Sequence, residues 1–286
     1  MTEEPHVPSN QSAQRRAQAY VVPFVVFMLF LGVPDLLTSV GLLPDTADVS
    51  LQHTDTESGP AFDANSDEPT PTAGSPGQAW YVSEPKLWLF PVQTLVTAVL
   101  LAWYWKEYQF RPHTGWLLAS AAGVLGIVVW LAPGFLFRSL ELSEGWWKYV
   151  GFADRSDGFD PSAVSAYGPG WYWATVLFRF ARLVLVVPLV EEIFWRGFLM
   201  RFVADMDGDY WQVPFGTFHK LSLVVVTALF VLAHAPVDYF GATFYGLLAY
   251  GVAVKTKSLS ACVLMHAVAN LLLGLYVMST QQWGYW

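Results

Sequence analysis

The sequence predicts an all-α protein, a polytopic bundle of about seven transmembrane helices around an internal polar cavity. Three observations predict it. Only 13% of the 286 residues are charged, about half the roughly 25% of a soluble domain. Hydrophobic residues make up 54% and aromatic ones 16%, far too many for a disordered chain. Apolar stretches near the ~20 residues needed to cross a bilayer recur along the chain. The same composition excludes other classes. A single cysteine, Cys262, excludes a disulfide framework and any multi-cysteine metal site. A net charge of −8 argues against a nucleic-acid partner, which needs a basic face.

In chain order, residues 1–19 read as a cytoplasmic tail and 20–42 as a first transmembrane anchor. That apolar run exceeds the core of a signal peptide, so the anchor is expected to be retained. Residues 43–87 hold Asp45, Asp48, Asp55, Glu57, Asp63, Asp67, Glu68 and Glu84 against Lys86 alone, nearly all of the net charge. Rich in Pro, Ser, Thr and Gly, this stretch is expected to be a solvated, disordered outer loop. Residues 88–170 comprise spans at 88–108 and 116–137 and a Trp-rich outer loop. The fourth span, 171–202, is too long for one straight crossing, and Pro188 should kink it. Spans at 221–236 and 239–254 are short, and 259–278 is the seventh. Residues 171–286 form the core expected to carry the chemistry.

Orientation follows the basic residues near the span ends. With the N-terminus inside, the inner segments hold nine Lys and Arg and the outer ones four. The expected topology is therefore N-terminus inside and C-terminus outside. Arg179 and Arg182 fall within the fourth span and are read as structural, pairing with Asp35 or with backbone carbonyls. Asp238 is expected to cap the sixth helix, and Cys262 to be a small core residue.

Three spans carry polar groups that are costly in an apolar setting unless paired or hydrated. The first is Glu191-Glu192-x-x-x-Arg196. Adjacent helical residues point about 100° apart, so the two carboxylates diverge. Glu192 lies four residues before Arg196 on one face, the favoured order for an ion pair. Glu191 is left without an intrahelical cation, and an unpaired carboxylate in a poorly solvated site is what a general base near neutral pH requires. The second is Phe230-x-x-x-His234, whose imidazole could orient a water shared with Glu191. The third is His266-x-x-x-Asn270, an imidazole and an amide on one face that could hold an oxyanion. Counted from one side of the membrane, Glu191, His234 and His266 lie at similar depths, about 10–20 Å in. Each group alone reads as interhelical glue. Together they point to a site, and an enzyme stands ahead of a non-catalytic scaffold or immunity protein and of a proton or ion transporter.

These three motifs, in this order, resemble the membrane-embedded CAAX protease and bacteriocin-processing family, which includes the type II CAAX prenyl endopeptidases. The stretch PLVEEIFWRGFL from Pro188 to Leu199 looks especially like the family's first motif. The resemblance implies an intramembrane endopeptidase of a bacterial cytoplasmic membrane, acting on a membrane-anchored peptide or protein. It implies water activation by Glu191 and His234, an oxyanion hole of His266 and Asn270, and support or substrate binding by Glu192, Arg196 and Phe230. Members have been labelled metalloproteases, and Glu191, His234 and His266 are ligand types that suit zinc. The spacing does not require a metal, so the expectation is a glutamate-activated water without an obligate cofactor. The long acidic loop and the Trp-rich segment resemble the exosortase-linked, CAAX-protease-related branch. That would make the substrate a membrane-anchored sorting tail.

Overall fold

A computed structural model describes residues 10–39, 86–143, 145–155 and 158–286. The acidic loop expected at 43–87 falls almost wholly outside them. Among the described residues all regular structure is helical: α1 (Asn10–Leu31), α2 (Val33–Ser39), α3 (Lys86–Trp103), α4 (Trp116–Ser139), α5 (Pro169–Ala181), α6 (Val187–Glu192), α7 (Met200–Ala204), α8 (Lys220–Leu232), α9 (Tyr239–Thr256) and α10 (Leu259–Thr280). Four helical stretches are long and apolar enough to cross a membrane: Trp116–Ser139, Gly170–Ala204, Pro236–Thr256 and Leu259–Thr280. These are the composition and architecture of an integral membrane protein. The other stretches read as spans are helical but shorter or less apolar.

The first span departs from its expected limits. Its helix begins at Asn10, within the stretch read as a tail, and breaks after Leu31. Gly32 and Pro34 explain the break, because glycine weakens a helix interior and proline donates no amide to the preceding turn. α1 lies against the core through Phe24, whose ring stacks on Phe194 at 4.0 Å. Tyr108 Oη donates to the carbonyl of Ala19, and Gln93 Nε2 to that of Phe27.

The fourth span is continuous through Pro188. α5, α6 and α7 run on as one 35-residue stretch, about 52 Å at 1.5 Å per residue. Two π-helical segments, Arg182–Val186 and Ile193–Leu199, interrupt it on either side of α6. In the first, Val187 N–H bonds to the Arg182 carbonyl, five residues back. The next bond in that register would run from Pro188 to Leu183, and Pro188 has no N–H. The wider turn thus absorbs the proline and leaves the Leu183 carbonyl for another donor.

Glycines set the spacing around this helix. A Cβ on Gly123 of α4 would lie 2.5 Å from the Met265 carbonyl oxygen of α10. Small residues at such contacts let helix backbones approach closely. That approach carries His266, the next residue along, to its place in the core.

Candidate active site

Glu191 and Glu192 sit between the two π segments, a kind of distortion that recurs at functional sites. They diverge as the 100° rule requires. Glu192 is wholly buried and accepts from Arg196 Nη1 at 3.1 Å, the local pair expected from the sequence. Its Oε1 also meets His266 Nδ1 at 2.8 Å, a contact across 74 residues that the sequence did not disclose. A carboxylate there accepts, so Nδ1 carries the proton and the ring turns its Nε2 outward. Arg196 is 1% exposed and lies over the Phe230 ring at 5.0 Å. Glu192, Arg196 and Phe230 thus form a buried base beneath the site.

Glu191 takes the other direction. Its side chain lines a cavity of about 240 Å³ together with His234, His266 and Asn270. Its Oε2 is buried with no hydrogen-bond partner among the described residues. All four residues named from the sequence therefore face one space. Glu191 and His234 also line a second cavity of about 200 Å³ against Phe24, Phe27 and Met28 of α1.

His234 is not within a helix, as its place in the fifth span had implied. α8 ends at Leu232, and His234 occupies the turn that follows. Pro236 is the cause: it offers no N–H to the preceding turn, and it holds Ala235 extended at φ −64°, ψ 147°. The His234 Nδ1 lies 2.7 Å from the Phe230 carbonyl. A carbonyl can only accept, so Nδ1–H donates and Nε2 is left as the basic nitrogen. The i, i+4 spacing of Phe230 and His234 is thus a backbone cap as well as a ring contact at 4.6 Å.

Asn270 is fixed by the π segment. Its Nδ2 donates to the Leu183 carbonyl at 2.8 Å, the acceptor that Pro188 leaves free. This bond also fixes the amide's orientation and leaves a second N–H to serve the cavity.

Two wall residues were not anticipated. Tyr245 of α9 is 4% exposed, its ring stands 5.5 Å from that of His266, and its hydroxyl has no hydrogen-bond partner among the described residues. Trp130 of α4 meets His234 edge-on at 5.4 Å. Nothing in their spacing sets either apart from other aromatic residues of the spans. Asp238 occupies the N-cap position of α9 but makes no capping hydrogen bond. Its carboxylate pairs instead with Arg155 Nη1, because a guanidinium attracts it more strongly than backbone amides do. Arg155 also receives the chain end, accepting from Gly284 N–H and lying over the Tyr285 ring at 4.5 Å. This cluster bounds the cavity away from the Glu192 base. Burial pushes the Tyr285 phenol up, keeping it neutral there.

The zinc ligand set does not fit this geometry. Among the described residues no three His, Cys, Asp or Glu side chains gather closely enough to hold a metal ion. Cys262 is buried in the core as expected and bonds its own helix at Ser258 O.

Comparison with known proteins returns one family. No curated protein and no solved structure matches the chain. Residues 172–272 match the family model described as "Type II CAAX prenyl endopeptidase Rce1-like", a family of proteases. That range contains the Glu191, His234 and His266 motifs in order. Over it the chain is similar to the Rce1-like, type II CAAX prenyl endopeptidase family, the family its three motifs resemble.

Proposed function

We propose that this protein is an intramembrane endopeptidase that hydrolyses a peptide bond of a membrane-associated substrate. The observation that carries the reading is Glu191: it lines a cavity with His234, His266 and Asn270, and one of its oxygens is buried. Among the described residues neither oxygen has a hydrogen bond or ion pair, whereas Glu192, whose Oε2 is also unpartnered, is held through Oε1 by Arg196 and His266. A scaffold gains nothing from such a carboxylate as Glu191, whose burial costs free energy. A base awaiting a water does.

In this reading Glu191 takes a proton from a water that His234 orients through Nε2. The hydroxide oxygen bonds to the scissile carbonyl carbon. The charge that develops on the carbonyl oxygen is met by the free Asn270 N–H and by Nε2–H of His266 in its doubly protonated form. Glu192 orients that ring by holding its Nδ1 proton. Glu191 then passes its proton to the leaving nitrogen as the C–N bond breaks. Glu192 and Arg196 position His266 and are not reactants. No step is routed through a metal. The substrate is taken to be a membrane-anchored peptide, and the N-inside topology, with the remaining helices crossing as a seven-span bundle, belongs to the same proposal.

The test uses purified protein in detergent with two labelled peptides ending in Cys-aliphatic-aliphatic-X, one prenylated and one not. Cutting of either by the wild type, lost in a folded Glu191→Ala variant, is the expected result. Unchanged cutting by that variant overturns the mechanism.

A further inference from the structure

A third cavity, of about 540 Å³, lies between α3 and α5. Its walls are aromatic and aliphatic, including Phe90, Val92, Phe159, Trp171 and Phe178, and two cations, Arg179 and Arg182, reach into it. Arg179 is 7% exposed. Its guanidinium lies over Phe159 at 4.5 Å and over Phe90 and Trp286 at 5.5 Å each. Arg182 lies over the same Phe90 ring at 4.6 Å, and its Nε is buried with no hydrogen-bond partner. Among the described residues neither guanidinium makes a direct salt bridge; the charge of Glu191 acts on Arg182 from the second cavity, which both residues line.

Two like charges over one ring in an apolar pocket are unfavourable alone. They become favourable around an anion that both can fork. The pocket far exceeds a bare anion, and its rim is apolar and outward-facing: Trp171, Phe178 and Val92 are 56%, 41% and 39% exposed. Side chains of a helix lean toward its N-terminus. Arg179, on α5, is thereby aimed toward the Trp171 end, a residue type that marks the level of lipid headgroups, and Arg182, in the π segment that follows, lies over Phe90 and Phe27. We infer that this pocket binds an anionic phospholipid, its phosphate between Arg179 and Arg182 and the start of an acyl chain along the aromatic wall. A peptide carboxylate would satisfy the charge but would not require the apolar rim that opens outward.

Native mass spectrometry of delipidated protein in non-ionic detergent tests this, with phosphatidylglycerol and phosphatidylcholine of identical chains. A phosphatidylglycerol adduct that phosphatidylcholine does not match is expected, and so is its weakening by about tenfold or more in Arg179→Gln/Arg182→Gln. Thr175→Trp, which fills the pocket and keeps both cations, should weaken it as well and serves if the double variant fails to fold. His266→Gln should bind the lipid as the wild type does, so the outcome stands apart from whether the protein cuts peptides. Equal binding of the two lipids, or an adduct that both pocket variants retain, overturns the inference. Displacement of the lipid by inorganic phosphate would show an anion site indifferent to the chain. Displacement by a peptide with a free C-terminus, but not by its amide, would assign the pocket to a peptide. Either result also overturns it.

Discussion

The helical stretch from Gly170 to Ala204 passes two clusters of charge, and they are built on opposite terms. Around Glu192 the charges pair within the protein: its Oε1 meets Arg196 at 3.1 Å and His266 at 2.8 Å, all three residues deeply buried, while its Oε2 and Arg196 Nε have no hydrogen-bond partner among the described residues. Around Arg179 and Arg182 the close contacts are aromatic faces, and the carboxylate that acts on Arg182, Glu191, does so without a salt bridge from the wall of the second cavity. A buried charge must be compensated. Compensation from within makes a rigid platform, and its absence marks a place where something else supplies the opposite charge. Glu191 stands between the two, next to the paired cluster yet unpaired, with one oxygen turned to the cavity.

The sharpest way to break this contrast is Glu191→Ala, expected to lower cleavage by about 10³-fold, within the range of a lost general base. Single-turnover cutting measures it, with circular dichroism to show that the helices remain. Next is Glu192→Ala, which strands Arg196 in the core. A loss of about 3–5 kcal/mol of stability is expected, read from thermal unfolding in detergent, and Glu192→Ala/Arg196→Met should recover much of it. A third change, Asn270→Ala, removes an oxyanion donor and leaves the Leu183 carbonyl unsatisfied. It should cost roughly 10²-fold in kcat with little change in KM. Gly123→Val should destabilise by about 1–3 kcal/mol through overpacking against α10, which a shifted melting curve would reveal. Smallest is Tyr245→Phe, expected to reduce kcat less than about tenfold, the worth of one neutral hydrogen bond. Exposure to a metal chelator should leave cutting unchanged, and restoration of chelator-inactivated protein by zinc would contradict the proposed chemistry.

How much was legible depended on distance along the chain. The Glu192–Arg196 pair was readable because four residues on one helix are neighbours whatever the rest of the fold does. Its third member was not, since His266 lies 74 residues away. His234 was identified by type but placed inside a helix, although Pro236 two residues later carried the signal for a turn. Arg179 and Arg182 were expected to find Asp35 or carbonyls. The structure gives them rings instead, and the side chain of Asp35 is outside those described. Tyr245 had no signal at all, because one buried tyrosine among the 13 in the chain looks like another.

The sequence by itself determined the all-helical architecture, through composition and apolar run length, and which ionisable residues would be costly to bury. It also determined that Glu191 and Glu192 diverge, since helix geometry alone settles that. Tertiary structure decided which partners those residues meet. The π turns around Pro188 freed a carbonyl for Asn270, Gly123 let α10 approach α4, and the resulting packing brought His266 to Glu192. Such contacts depend on helix positions fixed to a fraction of a turn by side-chain packing, and no local pattern of residues encodes that.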